Sequence, residues 1–423
     1  MEQNTQAQIT ITERINGKNA GMQIYGPHSV NEDGSIMDFA EQIAYVSHYI
    51  QNREFTKLPY EDKALDLIED IFGTVTKKDS ESIASDSNAI GQFNLFKEFE
   101  RPIFKAIEKP KFTFIDLFAG IGGFRIALQN IGGKCLFSSE WDKDAQKTYF
   151  ANFGEVPFGD ITRQNIKDCI PEKFDVLCAG FPCQAFSIAG LRKGFEDTRG
   201  TLFFDVAKIL KDRKPKAFFL ENVKNLKSHD NGNTYRVIEN TLRELGYVVY
   251  SEILNSMTHA NVPQNRERIF IVGFDPKQVP NHDKFEFPKP IELSRTIHDC
   301  IDIEEQDDKL FYKESHMYYP MLKDSMKNSN TIYQWRRVYV RENQSNVCPT
   351  LTANMGEGGH NVPLIITPYG FRKLTPKECI NFQGYPAEYT FPNIAQSKKY
   401  KQAGNSVTVP LIQRVAQKIY DIL

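Results

Sequence analysis

Paired cysteines are missing from this chain. Its seven cysteines stand at 135, 169, 178, 183, 300, 348 and 379, and none makes a Cys-x-x-Cys pair. That spacing argues against a zinc site, and no metal is expected. An odd, scattered set with no signal peptide in front reads as reduced thiols in an intracellular, cytoplasmic protein. Long apolar runs are missing too, so no membrane partner is expected. There is no lipidation motif and no internal repeat. A strong charge of one sign is also lacking: the net formal charge is −2. That sum hides an asymmetry. The first hundred residues carry 17 acids and 8 bases, net −9, and the remainder is net +7. The acidic front has the wrong sign to face a polyanion; the rest does not.

What is present falls into three stretches. The 423 residues suffice for two or three domains. In the first hundred, Ser35–Asn52 and Tyr60–Phe72 have helical spacing of apolar positions, and Lys77–Asn88 reads as a linker. Two helices can form a small DNA-binding or dimerising unit; a structural extension is the simpler reading. From Lys111 onward strands alternate with helices, which implies parallel βαβ units. The strand candidates are Phe112–Phe118, Lys134–Ser139, Asp175–Ala179, Ala217–Leu220, Val248–Leu254 and Arg268–Val272. A proline-rich stretch, Pro280–Pro290, marks a boundary. Residues 290–395 lose the alternation, and Thr408–Leu423 is again helical.

Five constellations carry chemistry. Asp116-Leu117-Phe118-Ala119-Gly120-Ile121-Gly122-Gly123 is a strand running into a glycine turn and a helix. Glycines let the backbone approach a ligand, and the helix start offers free N–H groups. Glu140, at the end of the next strand, can accept from both hydroxyls of a ribose. The full Gly-x-Gly-x-x-Gly of dinucleotide binders is absent, which favours S-adenosylmethionine over NAD. Trp141 can stack on the adenine, and Asp160 and Ile161 can hold the base edge. Next, Pro182-Cys183-Gln184 puts a thiol after an apolar run; such a cysteine is either an inert core residue or a nucleophile aimed by its turn. Glu221-Asn222-Val223 puts an acid at another strand end, where burial would favour proton donation. Arg266 and Arg268, two apart at a strand entrance, point the same way and can pair with a phosphate, a carbonyl or Glu221. Last, Gly404-Asn405-Ser406-Val407 leads into the final helix with capping or ligand-contacting side chains.

Taken in this order, the five resemble the DNA cytosine-5 methyltransferases of bacterial restriction–modification systems, over about residues 111–423. Gly194-Phe195-Glu196-Asp197-Thr198-Arg199 and Tyr400-Lys401-Gln402-Ala403 are also family-like, although many relatives carry phenylalanine where Ala403 stands. Residues 1–100 have no counterpart in the family pattern. The resemblance implies a doubly wound, mostly parallel α/β sheet of the adenosylmethionine-dependent methyltransferase fold, with a smaller, irregular, β-rich target-recognition domain. The expected division is an N-terminal extension of unknown role (1–105), a catalytic and cofactor-binding domain (106–285 plus 400–423) and a recognition domain (286–399).

The implied roles follow residue by residue. Cys183 adds to C6 of a cytosine, Glu221 donates a proton, Arg268 holds the base and Arg266 supports the loop and backbone. S-adenosylmethionine is held by Phe118, Gly120, Gly122, Gly123, Glu140, Trp141, Asp160, Ile161, Pro182, Leu202, Asn405 and Ser406. The target base must leave the duplex to be attacked. The segment from Gln184 through Ser187 to Arg199 closes over it, hinged at Gly190, Gly194 and Gly200. Arg336, Arg337 and Arg341, with Thr350 and Thr352 in a glycine-rich loop, are the candidates for reading double-stranded DNA. The Tyr333–Pro363 segment resembles recognition regions for GC-rich palindromes and leans toward a CCNGG- or CCWGG-type site. A monomer on DNA, paired functionally with a cognate restriction endonuclease, is expected. A tRNA cytosine-5 methyltransferase and a non-catalytic DNA-binding regulator are the alternatives.

Overall fold

The computed structural model describes residues 8–11, 22–25, 30–31, 35–72, 102–182, 202–304, 306–336, 338–343, 345–356 and 362–423. Cys183, Gln184, Ser187, Arg199 and Arg337 lie outside the described residues, as do the Lys77–Asn88 stretch and the hinge candidates Gly190, Gly194 and Gly200.

Six strands build the main sheet: β1 (Phe112–Leu117), β2 (Gly133–Ser139), β3 (Val176–Ala179), β4 (Ala217–Val223), β5 (Val248–Asn255) and β6 (Glu267–Phe274). Their order is β2-β1-β3-β4-β6-β5. The first four run parallel, and β6 is antiparallel to both of its neighbours. The sheet is thus mostly parallel, as the resemblance implies, with the reversal confined to β6. The link from Asn255 to Glu267 holds a one-turn helix, Ser256–His259, and a two-residue strand, Gln264–Asn265, that pairs parallel with Cys348–Pro349. A parallel return needs a crossover of a dozen or more residues, so this short link sends β6 back antiparallel.

Successive side chains point to opposite faces of a strand. Phe112, Phe114, Cys178, Phe219, Phe270 and Val272 line one core. Ile115, Leu177, Phe218, Leu220, Ile269 and Ile271 line the other. Both faces are covered, which is why the parallel strands read as almost unbroken apolar runs. α3 (Gly123–Gln129) and α8 (Val409–Tyr420) pack on the first face. α5 (Leu202–Arg213) and α6 (Asn233–Glu244) pack on the second. α4 (Lys143–Phe153) follows β2, its N-terminus capped by the Asp142 carboxylate.

The N-terminal helices form where the apolar spacing places them. α1 (Phe39–Asn52) starts at Asp38, which closes a capping box with Glu41. α2 (Glu61–Phe72) follows. Every residue of α1 from Gln42 to Tyr49 is buried, so this helix is enclosed within the molecule rather than lying on its surface. Its apolar residues belong to the second core of the main sheet.

A separate antiparallel sheet lies within the irregular region: β7 (Tyr333–Trp335), β8 (Val340–Glu342), β9 (Leu364–Thr367) and β10 (Gly370–Lys373), in the order β8-β7-β9-β10. It packs on a small core of Tyr312, Leu322, Met326, Tyr333, Trp335 and Leu364. The chain then returns to the large core through Leu374, Cys379, Phe382, Tyr385 and Tyr389. α7 (Gln396–Asn405) leads into α8.

Candidate active site

The carboxyl ends of the parallel strands gather most of the singled-out residues at one rim, as expected of an open α/β sheet. β1 ends in Phe118 at φ +56° and Gly120 at φ +55°. A left-handed phenylalanine is a rare conformation, held here because the Ala119 amide donates to Ser139 O at 2.9 Å. The three loop glycines differ in purpose. A Cβ on Gly122 would sit 2.2 Å from the Phe153 ring, and one on Gly123 would sit 2.6 Å from Val407. Both are glycine because protein packs there. Gly120 alone meets open space, its nearest such contact being 3.9 Å away.

Glu140 closes the loop from the side. Its carboxylate accepts from the Gly120 and Asp142 amides, each at 2.8 Å. Burial lifts its pKa, and those two N–H bonds oppose the shift. Each carboxylate oxygen keeps a lone pair free, so the group can still accept from two ribose hydroxyls. The neighbouring Trp141 indole is 73% exposed, an apolar face beside the acid. Asp160 is half-buried and Ile161 buried, in a loop tied to β2 by the Ser139–Phe158 bridge. These residues fit a nucleoside.

Glu221 stands at the end of β4, 9% exposed. Its carboxylate lies 3.0 Å from Arg268 Nε. The pair is diagonal across the ladder, since Glu221 faces Phe270 and Val223 faces Arg268. Of the partners open to the two arginines, Arg268 thus takes Glu221. The turn before Cys183 lies against it: a Cβ on Gly180 would sit 3.8 Å from Glu221 Oε2. Asn222 Nδ2 donates to Phe181 O at 2.8 Å and pins that turn to β4. Asn222 stands in the Glu-Asn-Val triplet, and its side-chain amide beside the acid is the sequence signal for this contact. Pro182 is exposed at the turn. Cys178, the other nearby cysteine, is wholly buried, and burial pushes its thiol well above the usual range. It is a core residue.

Arg266 points elsewhere. It is 2% exposed and donates to Leu351 O at 2.8 Å, Gly404 O at 3.3 Å and Ser406 O at 2.5 Å. Burial, then Arg268, presses its pKa down to about 9. It thus ties the strand entrance to the recognition region and to the Gly-Asn-Ser segment. A Cβ on Gly404 would lie 2.1 Å from the Thr352 carbonyl carbon, so that joint needs glycine. Asn405 and Ser406 end α7, and Thr408 holds the N-cap position of α8. Ser406 Oγ instead meets Tyr385 Oη at 2.5 Å. Arg266→Ala would strand three carbonyls. It is expected to cost about 3 kcal/mol or more, read as a lowered denaturant midpoint.

Comparison with known proteins decides the family. Residues 112–421 match the family C-5 cytosine-specific DNA methylase. The Type II methyltransferase M.Bsp6I of Bacillus sp. (strain RFL6) is 50% identical over 309 residues, 72% of this chain and 97% of that protein. M.HpaII of Haemophilus parainfluenzae, another Type II methyltransferase, is 46% identical over 354 residues, covering 78% and 94%. The chain belongs to the C-5 cytosine-specific DNA methylases. The fold agrees: the solved Entamoeba histolytica methyltransferase EhMeth superposes with a TM-score of 0.55 at 17% identity, over 73% of this chain and 98% of that one. The chain is therefore a DNA (cytosine-5)-methyltransferase, and the tRNA and non-catalytic alternatives are not favoured.

In this methylase Ala403 is fully buried and its carbonyl accepts from Gln383, so the departure from the family pattern concerns packing. The DNA-reading candidates fall into two groups. Arg336 and Arg341 are exposed on the β7–β8 hairpin, where Arg336 donates to Gln334 at 2.9 Å and Arg341 pairs with Gln334 across the ladder. Val338 and Tyr339 are exposed at the tip. Thr352 is exposed, but the Thr350 hydroxyl donates to Asn265 O at 2.6 Å and is committed to joining the two regions. Leu202 opens α5 and is half-buried.

One acid beneath the glycine loop went unassigned in the sequence. Asp116 is wholly buried in β1, and neither carboxyl oxygen has a hydrogen-bond partner among the described residues. Burial, opposed by Arg125 and reinforced by Glu140 and Glu155, pushes its pKa up to about 8. Folding thus takes up a proton between the ordinary carboxyl pKa of 3.8 and about 8, and stability falls as pH rises through that window. Asp116→Asn removes the titration. Calorimetric melting should show a flatter pH profile for the variant than for the native protein.

Proposed function

We propose that this methylase transfers a methyl group to C5 of one cytosine in a short, specific sequence of double-stranded DNA. The Glu221–Arg268 pair against the Gly180–Pro182 turn carries the reading. It sets an acid and a cation beside the entry to Cys183, at the same rim as Glu140 and Trp141. The target base swings out of the duplex, at a cost of a few kcal/mol that pocket contacts offset. Cys183 adds as thiolate to C6 while Glu221 bonds the exocyclic amine and gives a proton to N3. Arg268 holds Glu221 and the base O2, and Arg266 keeps the surrounding backbone in place. The ring thereby gains electron density at C5. After methylation a water-relayed base takes the C5 proton, and Cys183 leaves by elimination.

S-adenosylmethionine is the cofactor we assign; when bound it supplies an electrophilic sulfonium methyl. Glu140, Trp141 and the Asp160–Ile161 loop would hold its adenosine, and the Gly120 loop, Asn405 and Ser406 would flank the rest. The recognition unit is centred on the β7–β10 sheet, with residues 106–285 and 400–423 forming the catalytic unit. We assign the chain a cytoplasmic role on DNA, protecting a host against a cognate restriction endonuclease.

Bisulfite sequencing of plasmid DNA from cells expressing the chain tests this. One recurring protected cytosine, in a CCNGG- or CCWGG-type context, is the expected result. Uniform conversion would refute the activity.

A further inference from the structure

The family match begins at residue 112, yet α1 before it is enclosed in the catalytic core, and α2 packs Ala64, Leu67 and Ile68 there. We infer that the N-terminal helical unit is a built part of the cofactor site, with Tyr45, His48 and Tyr60 as positioning residues for its adenosine end. This rests on the S-adenosylmethionine reading above.

Phe158 is the point of contact. Its ring is 1% exposed and lies among four others. Tyr45 meets it edge-on at 5.1 Å, His48 and Tyr60 lie tilted against it at 4.3 Å and 5.7 Å, and Phe137 stacks on it at 5.1 Å. Three of those four rings come from the N-terminal unit. The Phe158 backbone is bonded to the end of β2, at the residue that carries the ribose acid. Its carbonyl accepts from the Glu140 amide at 2.8 Å, and its amide donates to Ser138 O at 2.9 Å. Gly159, Asp160 and Ile161 follow directly. Fixing the Phe158 ring therefore fixes the ribose acid and the base-edge loop together.

The same unit closes the outer edge of the sheet. Leu136 is skipped where β2 pairs with β1, and its carbonyl accepts from Tyr60 Oη at 2.8 Å. The Ser138 amide donates to His48 Nε2 at 3.1 Å. An exposed edge strand leaves such groups unpaired; here side chains from the N-terminal helices satisfy them. Beneath lies a buried charge cluster. Arg125, on the helix after the glycine loop, donates to Glu155 at 2.5 Å and to Gln51 of α1 at 2.7 Å. His48 Nε2 lies 3.3 Å from Glu155. Gln51 also donates to Phe153 O at 2.6 Å, and the Phe153 ring fills the space where a Gly122 Cβ would stand.

Ion pairs finish the attachment, that between Lys134 of β2 and Glu54 among them. Arg163, three residues past Asp160, meets Glu41 at 2.7 Å, and Lys143, two past Trp141, meets Asp38 at 2.8 Å. The Lys143 pair is about half exposed and contributes little. The rings and the buried cluster dominate. A shallow cleft lined by Glu41, Tyr45, Phe158 and Gly159 marks the seam. Among the described residues, Glu221 and Arg268 take no part in these contacts. Loosening the unit should therefore weaken cofactor binding and spare the chemistry.

The test measures S-adenosylhomocysteine affinity of the full chain by calorimetry, alongside KM and kcat. Tyr45→Ala is expected to bind about tenfold more weakly. Its kcat at saturating cofactor and its KM for DNA should stay unchanged, and Tyr45→Phe, which keeps the ring, should restore affinity. Glu41→Gln, a change near the surface, should weaken binding about threefold and decides the matter should Tyr45→Ala fail to fold. Native affinity in both variants, or a fall in kcat with KM unchanged, would overturn the inference. Failure of the native protein to bind S-adenosylhomocysteine would instead overturn the cofactor assignment.

Discussion

Cys183→Ser should abolish methyl transfer and leave sequence-specific DNA binding within a few-fold of native. At neutral pH a free cysteine already holds a few per cent thiolate, whereas a serine hydroxyl needs a base to activate it. Among the described residues, the Glu221–Arg268 pair and the pinned Phe181 carbonyl flank the turn that leads to Cys183. An unactivated hydroxyl there should lower the rate on the order of 10⁴-fold or more. Tritium transfer from labelled cofactor and a gel-shift titration read the two effects separately. DNA carrying 5-fluorocytosine should trap the native protein covalently and release the variant. Loss of both transfer and binding would make Cys183 a packing residue.

Glu221→Gln should lower kcat by about 10²- to 10⁴-fold, the usual contribution of a positioned general acid. Glutamine keeps the shape and can still bond the base, but it has no proton to give to N3. It also leaves Arg268 without its carboxylate at 3.0 Å. That second loss should be modest in stability, because both side chains keep some contact with solvent. Single-turnover rates at saturating DNA and cofactor isolate the chemical step, and a melting curve checks the fold. A rate within tenfold of native would remove Glu221 from the acid role.

The chemistry was legible in the sequence because each reactive group sits where an apolar run stops. Phe114–Leu117 leads to the glycine loop, and Phe218–Leu220 leads to Glu221. Apolar runs and turn residues are local signals, and they placed the strands and helices of the main sheet. Partners across the fold were not legible. Nothing near Glu221 in sequence announces that Arg268 will face it, because that depends on how β6 enters the sheet. Arg266 and Arg268 look alike on paper, yet one is spent on three carbonyls and the other on the acid. The N-terminal helices were visible as amphipathic spacing, but their enclosure was not: Tyr45, His48 and Tyr60 meet Phe158 only in the folded chain. Asp116 was hidden for a similar reason, since a carboxyl inside a buried strand carries no mark of being unpartnered.

The reversal of β6 has a consequence for what the protein can tolerate. Four parallel strands deliver only their last residues to the reactive rim. A strand running the other way delivers its first, and so Arg268 arrives at that rim while the body of β6 stays in the core. Slipping the ladder by one residue would turn Arg268 to the opposite face and expose the alternate set of side chains. A single-residue insertion at Asn261 falls outside the ladder and leaves that register in place, though it disturbs a side chain whose oxygen accepts from the Ser294 and Arg295 amides. An insertion between Arg268 and Phe270 shifts the register itself, and would silence the enzyme as surely as losing the arginine.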